Sequence, residues 1–132
     1  MSDVTRPVGE PILVITFLYY RDIHAAQAWY EDVMGFTLAI DQGWAKIMHI
    51  GGGAHVGLVD ESKGMNSWQE EKCIQLCVRV PDVDAWYDYA KAKGVANLSE
   101  LFINDEIGIR AFVFDDPEGY QVELQTATRP GA

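Results

Sequence analysis

The feature that most constrains this chain is that it repeats itself. YRDIHAAQAWYEDVMGF, starting at Tyr20, lies over VPDVDAWYDYAKAKGV, starting at Val80; strand end, capping Asp, amphipathic helix and terminal Gly all match. The offset is about 60 residues, and each copy is followed by strand-like runs, so the unit is strand, helix, three strands. Units of this kind stack to share one core. The repeat therefore predicts an α+β chain of two tandem βαβββ modules, about 11–60 and 73–126, within a single domain over 1–132.

In the first copy, Pro11–Tyr20 is rich in Ile, Val, Phe and Tyr and reads as a strand. Asp22 caps a helix with Ala26, Trp29, Tyr30, Val33 and Met34 at helical spacing, and Gly35 stops it. Strands follow at Phe36–Ile40, Trp44–Ile50 and Ala54–Asp60, with turns at Asp41, Gly43 and Gly51–Gly53. Residues 61–72 are polar and read as a linker. In the second copy Cys73–Val80 is a strand, and Asp82 caps a helix with Val83, Trp86, Tyr87 and Ala90 on one face, ended by Gly94. Strands are expected near Asn97–Phe102, Ile107–Phe114 and Tyr120–Gln125, the last entered through the turn Asp116-Pro117-Glu118-Gly119.

Alternate strand residues face opposite sides. One parity is almost wholly aliphatic: Val14, Thr16, Leu18, Val56, Leu58, Ile74, Leu76, Val78, Val80, Val122 and Leu124. It suits packing under the helices. The other parity holds Ile15, Phe17, Tyr19, His55, Gly57, Gln75, Cys77, Arg79, Gln121, Glu123 and Gln125. A purely hydrophobic core does not need Gln75, Arg79 and Glu123; a ligand pocket with a few convergent polar groups does. A solvated face or a dimer contact is the plainer alternative for such a face.

The formal net charge of −10 repels phosphate backbones and anionic lipid, which argues against nucleic-acid and membrane partners and favours a cationic ligand. No run of 18 apolar residues occurs, and Met1–Glu10 lacks an apolar signal core. Cys73 and Cys77 lie four strand residues apart, about 13 Å, too far for a disulfide. They read as reduced thiols in a cytoplasmic protein. Gly51–Gly53 joins two strands and has neither phosphate-loop pattern, and no partner cysteines for a zinc ribbon exist.

RDIHAAQAWYEDVMGF, VRVPDVDAWYDYAKAKGV and the closing FVFDDPEGYQVELQ together resemble the vicinal-oxygen-chelate superfamily. That family includes glyoxalase I, bleomycin-resistance proteins, fosfomycin-resistance transferases and extradiol dioxygenases. The resemblance runs from about Ile12 to Thr126 and implies paired βαβββ modules in a curved, cup-shaped mixed sheet with helices on the outer face. It also implies a homodimer with sites built across two chains. Metal-dependent relatives hold one divalent ion with His and Glu on the concave face, one ligand from the first and one from the last strand of each module. Carried over residue by residue, those positions fall on Ile15, Gly57, Gln75 and Glu123, and only Glu123 keeps a family ligand. Divalent transition metals need three or four good protein ligands, so no metal or other cofactor is expected. The disfavoured alternative is an irregular site of His55, Gln75 and Glu123, reached if the register slips by two, since His55 lies about 6.7 Å from Gly57 along the strand.

The expected ligand-binding set is Phe17, Tyr19, Trp44, His55, Trp68, Gln75, Cys77, Arg110, Phe112 and Glu123. Phe17 and Tyr19 are placed to stack on a flat or cationic molecule; Trp44 and Trp68 are candidates to cap the cavity, with an ordinary packing role the plainer alternative. The leading expectation is a metal-independent binding protein of the bleomycin-resistance type that sequesters an aromatic or cationic compound. The runner-up is a lyase, isomerase or dioxygenase with Glu123 as the candidate catalytic residue, acting as general base or through a non-standard site. A dimerisation module with a degenerate cavity is the third.

Overall fold

The structure, a computed structural model, describes residues 4–132; Met1–Asp3, the start of the polar N-terminal stretch, lie outside the described residues. The elements follow the repeat: β1 (Val14–Tyr20), α1 (Ile23–Trp29), β2 (Thr37–Asp41), β3 (Ala45–Gly51) and β4 (Ala54–Asp60), then β5 (Gln75–Arg79), α2 (Val83–Lys93), β6 (Phe102–Asn104), β7 (Ile109–Asp115) and β8 (Gln121–Ala127). The strand order is β1-β4-β3-β2 in one sheet and β5-β8-β7-β6 in the other. In each, the first and last strands run parallel and the rest antiparallel.

Local chemistry explains both helices. The Asp22 and Asp82 carboxylates each accept an N–H from the third residue on, Ala25 and Ala85, at 3.0 Å. Gly35 and Gly94 end the helices in the left-handed region, at φ 72° and 69°, where a Cβ would be strained. One departure is the end of the first helix, where Tyr30–Met34 forms a π-helical turn rather than continuing α1. The wider turn seats Tyr30 inside the molecule, with Trp29 edge-on to it at 4.8 Å between ring centres.

The expected strand at Asn97–Phe102 is displaced. Asn97 sits at φ 54°, which an extended strand cannot accommodate. Residues 97–101 instead form a loop tied to β7, with Ser99 N–H donating to the Val113 carbonyl and Val113 N–H to the Ser99 hydroxyl, both at 2.9 Å. The ladder begins only at Phe102, opposite Ala111. As expected of paired βαβββ modules with helices outside, the strands form two four-stranded mixed sheets, with β1 and β5 each an edge strand.

What joins the modules is side-chain packing. Leu18, Tyr20, Met48, Val56 and Leu58 from the first sheet share one buried cluster with Phe112, Phe114, Val122 and Leu124 from the second, and both helices contribute. At its centre Asp116, in the β7–β8 turn, accepts hydrogen bonds from the hydroxyls of Tyr20 and Tyr30 and from the N–H groups of Glu118 and Tyr120. The Glu118 carboxylate accepts the N–H groups of Arg21 and Asp22 at 2.7 and 2.8 Å. The second module's turn thus holds the start of the first module's helix. Tyr89 on α2 donates to the Val33 carbonyl at 2.7 Å, closing the other side. No helix among the described residues is long and apolar enough to cross a membrane.

Candidate functional site

The β1–β4 register pairs Phe17 with Gly57 and Ile15 with His55; the β5–β8 register pairs Cys77 with Glu123 and Gln75 with Gln121. The two parallel pairs are therefore equivalent residue for residue. Gly57 stands where Glu123 stands, and His55 stands where Gln121 stands. The two-residue slip that would move His55 into the Gly57 position does not occur between β1 and β4; the irregularity near Gly51–Gly53 lies between β3 and β4, at His49 and Gly51.

The faces that carry these residues differ sharply. On the second sheet they form a polar ladder of cross-strand pairs. Gln75 donates to Gln121 at 2.6 Å, Cys77 lies 3.8 Å from the Glu123 carboxylate, and Arg79 donates to Gln125 at 2.7 Å. Gln125 donates in turn to Glu123 at 2.5 Å. Burial first, then the negative charge of Glu123, raises the Cys77 thiol above its ordinary value. It is a protonated thiol at neutral pH, not an activated nucleophile.

On the first sheet the same face is apolar. Ala45, Ile47 and Val59 form a small buried cluster with Ile15 and Tyr19 packed on it. Phe17 lies over Gly57 so closely that a Cβ there would sit 2.4 Å from its Cδ1. The aromatic ring occupies the space a side chain at position 57 would need. Yet Phe17 remains 44% exposed on its outer side, and Trp44 is 48% exposed. With Tyr19, Val59 and Met65 these two rings line a recess of about 150 Å³. A second recess, of about 260 Å³, joins Phe17 and Tyr19 to Glu71, Lys72 and Ile74 at the start of the second module.

Trp68 is elsewhere. Its indole is held between two cations, with the Arg21 guanidinium carbon 3.4 Å and the Lys72 ammonium 3.7 Å from the ring centre. It pins the linker to the junction of the modules and does not share the recess with Trp44. Burial lowers the Lys72 ammonium below its ordinary value. Two other expected site residues also lie away from this face. Phe112 and Arg110 stand opposite Leu124 and Thr126, on the helix side of the sheet. Directly opposed residues share a face, so the aliphatic parity of β8 carries them with it. Phe112 is fully buried against Tyr87, and Arg110 pairs with Asp84 of α2 at 2.6 Å.

No group of three or more His, Cys, Asp or Glu side chains able to hold a metal occurs among the described residues. The positions at which metal-dependent relatives place ligands hold an isoleucine, a glycine covered by Phe17, a glutamine bonded to Gln121, and Glu123. That donor set does not fit a divalent ion.

Two βαβββ units sharing one core, each with an open face opposite its helix, define a class of small α+β proteins. The chain belongs to the Glyoxalase/Bleomycin resistance protein/Dioxygenase superfamily, whose family model matches residues 12–124. Solved structures share the fold. TioX from Micromonospora sp. ML1 is 23% identical, with a TM-score of 0.73 covering 89% of this chain and 99% of that one. Lactoylglutathione lyase from Agrobacterium tumefaciens is 21% identical, with a TM-score of 0.72 covering 94% and 100%. A glyoxalase/bleomycin resistance protein/dioxygenase from Nocardioides is 20% identical, with a TM-score of 0.75 covering 95% and 89%. No curated protein matches the sequence.

Proposed function

We propose that this chain is a metal-independent binding protein that sequesters a flat aromatic or cationic compound on the open sheet faces. The observation that carries the reading is the Phe17 ring seated over Gly57. It replaces a ligating side chain with an aromatic surface, at a position where an ion would need an oxygen or nitrogen donor. Phe17 and Trp44 expose their rings beside it, and aromatic faces attract cations through their quadrupole. Glu123 and the net charge of −10 favour the same sign of ligand.

The reading includes a homodimer. Half-exposed Phe17, Trp44 and Ile40 leave an apolar patch that a second copy can cover, completing a pocket from two chains.

The test is calorimetric titration of a panel of aromatic quaternary ammonium and aromatic amine compounds, with and without a chelator, on wild type and Phe17→Ala. Saturable binding that is indifferent to chelator and weakened at least about tenfold by Phe17→Ala supports the reading. Turnover of a substrate that a chelator abolishes, or that Glu123→Gln abolishes, would replace it with an enzyme.

A further inference from the structure

The largest cavity in the molecule, about 590 Å³, runs beside the free edge of β5 rather than over either face of its sheet. Residues 76–80 line it in unbroken succession. A cavity over one face would meet every second residue, because successive strand side chains point to opposite sides. An unbroken run is what a backbone edge presents. Phe36 from the first module and Trp86 of α2 wall the other sides with apolar surface.

The register identifies which backbone groups point into this space. The Val80 N–H donates to the Gln125 carbonyl of β8 at 3.0 Å. Along a strand the N–H and C=O of one residue point to one side, and those of the next residue to the other. Leu76, Val78 and Val80 therefore turn their backbone groups to β8. Cys77 and Arg79 turn theirs to the free edge, where β5 has no neighbouring strand. Their side chains stay on the open face while their main chain borders the cavity. No backbone partner outside the β5–β8 ladder reaches either residue among the described residues. At β1 the same situation is closed off. There the Tyr120 hydroxyl accepts the Tyr19 N–H at 2.9 Å and donates to the Tyr19 carbonyl at 3.2 Å, so one side chain stands in for a strand. No such group stands beside Cys77 and Arg79.

We propose that the β5 edge and the cavity beside it form a binding site for a short, extended, apolar peptide, which adds to the sheet as a further strand. Its main chain pairs with the N–H and C=O groups of Cys77 and Arg79, and its helix-side side chains lie against Phe36 and Trp86. β5 is five residues long, so the site spans a peptide of about that length. The volume lies within the range of small-ligand sites. This site does not draw on the reading of the open faces, because its ligand meets main-chain groups at a strand edge.

The probe is acetyl-Val-Thr-Val-Thr-Val-amide, with two analogues N-methylated at alternate residues, one at the valines and one at the threonines. Methylation removes a main-chain donor and adds apolar surface, so it separates strand pairing from apolar contact. Titrated calorimetrically into the intact protein, the parent peptide saturates at one per chain. One methylated analogue binds at least about tenfold more weakly, and the other within about threefold of the parent. Cys77→Pro deletes an edge N–H that takes no part in the β5–β8 ladder, a position at which an edge strand tolerates proline, and weakens the parent peptide at least about tenfold. Should Cys77→Pro not fold, as thermal denaturation would show, the two analogues still decide. Equal affinity of both analogues, parent binding unchanged in Cys77→Pro, or no saturable uptake overturns the proposal. So does a β5 edge found paired with a second copy of the chain.

Discussion

At the residue scale, the contact between Phe17 and Gly57 decides the chemistry of the first module. An added Cβ at position 57 meets ring carbons at 2.4 and 2.6 Å and the Ile15 Cγ2 at 3.1 Å. Gly57→Ala therefore destabilises the protein by about 1–3 kcal/mol through overpacking. In the Phe17→Ala background the same substitution costs much less, because the atoms it meets are gone. A double-mutant cycle read by urea denaturation shows this as a coupling of opposite sign to the single effects. Equal costs in both backgrounds would mean the ring does not lie over Gly57. The same contact explains why the sequence reading found the missing ligands but not their replacement. Ile15 and Gly57 are legible as non-ligands from residue type alone. That Phe17 turns its ring over the glycine depends on a side-chain rotamer selected by the neighbouring strand.

At the element scale, residues 61–74 hold no helix or strand and yet are fixed at Trp68. The indole between Arg21 and Lys72 couples the linker to the start of α1, since Glu118 caps Arg21 and Asp22 from the other module. Trp68→Ala is expected to cost about 2–4 kcal/mol in stability, as a large aromatic lost from a packed position, and to expose the linker to limited proteolysis. Lys72→Met keeps the volume and removes the charge, so it costs under about 1.5 kcal/mol. Cleavage within 61–74 at the wild-type rate in Trp68→Ala would show that the linker is held by other contacts. The sequence marks this segment as a linker by its polarity, and leaves its tryptophan open between capping the cavity and ordinary packing. Polarity is a local property. The partners of Trp68 come from residues 47 positions before it and four after, and no local pattern encodes that pairing.

At the scale of the whole molecule, the junction is a buried polar network in an aromatic core. Burial first holds the Tyr20 and Tyr30 hydroxyls above the ordinary value of 10.0, followed for Tyr20 by the neighbouring Tyr30 and then Asp116, and for Tyr30 by the charge of Asp116; burial also raises Tyr120. The folded state keeps these protons where the unfolded state releases them. Their contribution is complete below the unfolded value and is lost as pH rises beyond it. Stability to urea should therefore fall above about pH 10, by about 1 kcal/mol per pH unit for each tyrosine. The slope should be shallower in Tyr20→Phe. A flat profile between pH 9 and 11 would place the three hydroxyls in water. Removing the acceptor has a larger effect, because Asp116→Ala strands two buried hydroxyls and two N–H groups, at about 3–5 kcal/mol. Thermal denaturation at neutral pH measures it directly.

By itself the sequence determined the repeat, the two capped helices and the aliphatic parity. Each of these is written in spacing or residue type, and spacing survives translation along the chain. It also carried the family, because the two capped helices and the Asp-Pro-Glu-Gly turn occur in order. The tertiary structure decided the rest. It sent Phe112 and Arg110 to the helix side, because their facing is set by the partner across the β7–β8 ladder and not by their own segment. It replaced the strand at Asn97 with a loop, where one left-handed residue overrides a strand-like composition. It set how the two sheets pack at their seam, because packing between modules is a matter of shape at long range, to which a pattern of apolar residues is blind.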